Sequence, residues 1–68
     1  MVDVGVLFKV DGEDRYRDAV GCSYHFVPRM GDLLTKNGHL FVVDRVIVTD
    51  YLSEHDQWKC VIYASQTF

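Results

Sequence analysis

The sequence predicts an all-β domain: about five antiparallel strands in a meander that curls into a small SH3-like barrel or half-barrel. Three observations predict it. Apolar residues recur at period two from Val2 onward. Turn chemistry at Asp11-Gly12, Gly31-Asp32 and Asn37-Gly38 cuts the chain at short intervals. No window of about eleven residues fits a helical spacing of apolar positions.

The first strand follows from Val2, Val4, Val6, Phe8 and Val10, which alternate with Asp3, Gly5 and Lys9 and are interrupted only by Leu7. Asp11–Asp14 is a hairpin tip, because Asp and Gly tolerate positive φ. A return strand begins at Arg15 or Tyr16, with Tyr16, Asp18, Val20, Cys22, Tyr24 and Phe26 on one face. Gly21 within it predicts a bulge, bend or break, and so two short pieces. Pro28 ends the run, since it has no amide proton for a ladder.

At Pro28–Asp32, Gly31 is placed to take positive φ and Asp32 to bond the local backbone. Leu33–Lys36 is a short strand, with a helical turn over Arg29–Lys36 as its rival. Asn37-Gly38 has the chemistry of a type I′ turn. The run from His39 to Leu52 slips parity between Val43 and Val46. A bulge at Asp44-Arg45 repairs the slip, keeps Phe41, Val43, Val46 and Val48 on one face, and bends the strand. Ser53–Asp56 is a polar turn. The last strand places Trp58, Cys60, Ile62 and Ala64 on one face and Lys59, Val61 and Tyr63 on the other.

At 68 residues the chain is one domain, residues 1–68, with a small core. Its 49% hydrophobic and 13% aromatic content suits a fold rather than a disordered segment. No secretory segment is expected at the N-terminus and no apolar run reaches a membrane span of about 20 residues, so a cytoplasmic location with no membrane partner is expected. Cys22 and Cys60 are expected as reduced thiols, a disulfide needing their strands to be neighbours.

The stretch from Pro28 to Val46 resembles small proteins of bacteriophages and other mobile elements, in which a P-R-x-G-D turn leads into a bent hairpin. Here Pro28, Arg29, Gly31 and Asp32 supply the turn, and Phe41, Val43 and Val46 the aromatic-x-V-x-x-V strand. The resemblance implies a compact β-barrel-like module, often an accessory gene product. It brings no catalytic residues.

Enzyme chemistry is not expected. The carboxylates lie in or beside turns, and there is no phosphate-binding loop or dinucleotide fingerprint, so no cofactor is expected. No metal is expected either. The one close pair, Cys22 and His25, is three residues apart on a strand, which points the two side chains to opposite faces.

The aromatic residues are more informative. Phe8, Phe26, Phe41 and Trp58 are assigned to the core. Tyr51 and Tyr63 are assigned to a partner-binding surface with Asp50, Glu54 and Asp56, because tyrosine combines large contact area with a polar handle. A basic-aromatic face of Arg15, Tyr16, Arg17 and Arg29 is the alternative site, for nucleic acid. Ten acidic residues against seven dispersed basic ones disfavour it. The expected function is a protein–protein interaction module that modulates a host complex. The alternatives are a nucleic-acid-binding barrel and an oligomeric structural subunit. Apolar residues on both faces of several strands predict a homodimer or higher assembly.

Overall fold

A computed structural model describes residues 1–48 and 58–67 of the chain. Five strands form one curled sheet, a half-barrel, with no helix among the described residues. They are β1 (Val2–Lys9), β2 (Val20–Tyr24), β3 (Leu33–Lys36), β4 (His39–Val48) and β5 (Cys60–Thr67). Their order across the sheet is β2-β1-β5-β4-β3.

The sheet is mixed, which corrects the antiparallel meander. β1–β2, β3–β4 and β4–β5 are antiparallel, but β1 runs parallel to β5, with Gly5 opposite Val61 and Lys9 opposite Ser65. Alternation tells which face a side chain takes and says nothing about which strand lies alongside. What places β1 inside the sheet is burial on both faces, since Val4, Gly5 and Val6 are all buried in succession.

The inner, concave face holds the core: Val4, Val6, Phe8, Leu34, Phe41, Val43, Cys60, Ile62 and Ala64. Phe8 and Phe41 meet edge to face with centroids 4.7 Å apart. The expected bulge is present. Val43 pairs with Ala64 and Arg45 with Tyr63, so Asp44 is the extra residue and both Val43 and Val46 stay inward. Val48, opposite Cys60, does not join the core and is 79% exposed, which corrects its expected inward burial.

The Asn37-Gly38 turn takes positive φ at both residues, 52° and 80°, as a type I′ hairpin requires. Lys36 and His39 close it, which makes Leu33–Lys36 a strand rather than a helical turn. Gly31 adopts φ 90° in the preceding turn. There the Asp32 amide donates to the Arg29 carbonyl (3.0 Å), and the Asp32 carboxylate accepts the Arg29 amide (2.8 Å). The polar turn expected at Ser53–Asp56 lies outside the described residues.

Three expectations for β2 and Trp58 are corrected together. β2 begins at Val20 rather than Arg15, Gly21 sits inside it without a break, and Trp58 does not share the Cys60 face. The last two share one cause, a glycine pair. Gly5 and Gly21 lie opposite each other on β1 and β2. The Trp58 ring covers both on the outer face, where a Cβ at Gly5 would come within 2.5 Å of it and one at Gly21 within 3.3 Å. The missing side chains make a slot for an indole, which replaces the packing that two strand glycines lack. Phe26, assigned to the core from sequence, is 73% exposed, because β2 ends at Tyr24 and the chain has already left the sheet.

Candidate functional site: an aromatic outer face and an apolar loop

The bulge at Asp44 sends two consecutive side chains, Asp44 and Arg45, to the outer face of the sheet. Residues 10–19 fold back over that face from the end of β1, held by the Arg17 amide donating to the Phe8 carbonyl (2.8 Å). This brings Tyr16 against Tyr63, edge to face, with centroids 4.9 Å apart and ring planes at 85°. The Tyr16 hydroxyl donates to Asp44 Oδ2 (3.0 Å), and the Ser65 hydroxyl donates to the same oxygen. Lys9 Nζ lies 5.2 Å from the Tyr16 ring centre, and the Arg45 guanidinium 5.7 Å from that of Tyr63, both within cation–π reach. One partly covered patch therefore joins two tyrosines, two cations and one carboxylate.

This patch redistributes the residues singled out in the sequence. Tyr63, from the partner-binding set, and Tyr16, from the basic-aromatic set, are neighbours. Arg15 is exposed. Arg17 is paired with Glu13 (Nε to Oε1, 3.0 Å), and that hydrogen bond holds the Glu13 carboxyl below the usual carboxylate range. Arg29 lines a hollow beyond the Leu33 end of β3, while Arg17 lines one beyond the Lys36 end, so the structure does not gather the basic-aromatic set. Asp50, Tyr51, Glu54 and Asp56 lie outside the described residues.

Sequence reasoning missed a second surface. In the β2–β3 connection, Phe26 is 73% and Met30 72% exposed. With Val27, Pro28, Arg29 and Val46 they line an open hollow of about 640 Å³. The signal was present: F-V-P-R-M places four apolar residues where a turn would ordinarily be polar. Pro28 itself is buried and anchors the loop. A smaller hollow of about 340 Å³ gathers Arg17, Lys36 and His39 around Phe8 and Phe41. His39 Nδ1 lies 3.1 Å from Gln66 Nε2, which fixes the ring against β5.

The two thiols are held apart. Both cysteines are free. β1 lies between their strands, which separates them by about 9.5 Å at ordinary strand spacing, too far for a disulfide. Burial pushes the Cys60 thiol up, away from the reactive thiolate. The Tyr24 hydroxyl, beside Cys22 on β2, is pushed up to about 12, first by burial and then by the Cys22 thiol.

No helix among the described residues is long and apolar enough to cross a membrane. The chain matches no family model, and searches of curated proteins and of solved structures give no significant match.

Proposed function

We propose that this domain is a protein–protein interaction module that docks a partner through the Phe26–Met30 loop and acts in the cytoplasm. The observation that supports the reading most is the exposed Phe26 and Met30 side chains around one open hollow. Large apolar side chains left together in water, beside an arginine, have the composition of an interface centre. Arg29 and Asp32 at the hollow supply polar rim contacts of both signs. The resemblance of the Pro28–Val46 segment to mobile-element proteins directs the search for a partner to host complexes.

The test is affinity capture from the native cell with the wild-type chain and with a Phe26→Ser, Met30→Ser double variant. Binding of the captured protein is then re-measured with purified components. The reading expects the double variant to keep its melting temperature and to lose at least tenfold in affinity. A partner held equally well by both chains removes the loop from the interface. Micromolar binding of nucleic acid at physiological salt, lost on Arg15→Ala with Arg17→Ala, would favour the nucleic-acid reading instead.

A further inference from the structure

Among the described residues the half-barrel leaves two edges, β2 and β3. The β3 edge has a regular set of backbone groups with no partner among the described residues. Lys36 and His39 close a two-residue turn and so form a hydrogen-bonded pair. Alternation along an antiparallel ladder makes Leu34–Phe41 the next such pair and Asp32–Val43 the one after. The Val43 amide indeed donates to the Asp32 carbonyl at 2.9 Å. The intervening residues, Leu33 and Thr35, therefore aim their amide and carbonyl groups outward, away from β4. Leu33 is also 59% exposed.

We infer that this edge pairs with the same edge of a second copy of the chain, antiparallel across a two-fold axis at Leu34. The register follows from the hydrogen-bonding parity. With the axis at Leu34, Leu33 faces Thr35 of the second copy, and Thr35 faces its Leu33. Both are outward-bonding residues, so each pair exchanges two backbone hydrogen bonds.

The side chains fit the same register. Asp32, Leu34 and Lys36 share the inner face, where Lys36 Nζ lies 5.9 Å from the Phe8 ring centre. Pairing sets Asp32 opposite Lys36 of the second copy, twice over, and opposite charges directly across a ladder are favourable. Asp32 Oδ2 already accepts the Arg29 amide, which fixes the carboxylate and leaves lone pairs for an ammonium. Leu34 meets its own counterpart. Beside it lies a hollow of about 440 Å³, lined by Tyr24, Phe26, Pro28 and Leu34, which has room for the incoming leucine. The sequence D-L-L-T-K is thus complementary to itself in charge, in size and in hydrogen-bonding parity. The hollow shares Phe26 and Pro28 with the proposed docking loop, whereas the hydrogen-bonding parity and the Asp32–Lys36 register are independent of those two side chains.

The experiment is sedimentation equilibrium up to about 100 µM, the range suited to a small edge-to-edge interface. Wild type is expected to dimerise. Thr35→Pro removes an amide proton that points away from β4, so the monomer fold is kept, as circular dichroism and melting should show. Its dimer affinity should fall roughly tenfold or more. Lys36→Glu puts like charges opposite each other and should leave that chain monomeric, as should Asp32→Lys. An equimolar mixture of Lys36→Glu and Asp32→Lys chains restores both ion pairs and should form heterodimers only. A wild-type chain that stays monomeric throughout overturns the inference. So does a dimer that Thr35→Pro and Lys36→Glu both leave intact, which would place the contact on another face.

Discussion

Replacing Gly5 by alanine adds one methyl group at the most crowded point on the outer face. The new Cβ would lie 2.5 Å from Trp58 Cε3 and 2.8 Å from Cδ2, where carbon atoms prefer about 3.5–4.0 Å. The indole must therefore withdraw by about an ångström, and in doing so it also loses contact with Gly21. Overpacking of this kind costs about 1–3 kcal/mol. The alanine also restricts the unfolded chain, which returns about 0.4–1 kcal/mol. Gly5 has no positive φ, so no backbone strain is added. The net loss is about 1–2 kcal/mol, a fall in Tm of roughly 4–16 °C for a domain of this size. Gly21→Ala places its Cβ 3.3 Å from the ring, a tenths-of-an-ångström adjustment, and should be near neutral. Thermal melts followed by circular dichroism measure both variants. Trp58 is the one tryptophan in the chain, so its fluorescence reports the displacement directly. A Gly5→Ala protein that melts with the wild type and emits at the same wavelength would refute the slot, and an equal loss in Gly21→Ala would refute its asymmetry.

Gly38→Val should destabilise more than Gly12→Ala by about 1 kcal/mol, read from urea midpoints. Both glycines have positive φ, but valine is β-branched and Gly38 belongs to a two-residue turn that sets the β3–β4 register. A double-mutant cycle of Tyr16→Phe and Asp44→Ala should give a coupling of about 1 kcal/mol, since the phenol donates to that carboxylate; additive losses would remove the contact. Because the Tyr24 pKa is raised on folding, its contribution is fully present below pH 10 and is lost as pH rises from 10 towards about 12. Alkaline melts should therefore fall more steeply for wild type than for Tyr24→Phe, and parallel pH profiles would contradict the assignment.

What was legible in the sequence was local. The period-two runs gave the strands, Asn37-Gly38 gave its turn, and the parity slip between Val43 and Val46 located the bulge at Asp44, because each is a property of neighbouring residues. What was not legible depended on partners far along the chain. Alternation in β1 and β5 is the same whether they pair with each other or with anything else, so their parallel contact left no trace. Gly21 looked like a break because its purpose, a place for Trp58, involves a residue on another strand. Tyr16 and Tyr63 were each singled out, but only the return of residues 10–19 over the sheet puts them together. The exposure of Phe26 depends on β2 ending at Tyr24, and period-two alternation continues through Phe26 without marking that end.

The position of β5 bears on how the chain reaches this state. Among the described residues it is the strand that joins β1 to β4. Until it arrives, the chain holds two separate hairpins, β1–β2 and β3–β4, and an isolated two-stranded hairpin is marginal in water. The contact that unites them, Gly5 with Val61, closes a loop of nearly the whole chain, the kind of long-range pairing that slows folding. During synthesis β1 therefore waits for β5, and any chaperone or protease meets the β1 and β4 edges unpaired in the interval, in addition to those of β2 and β3.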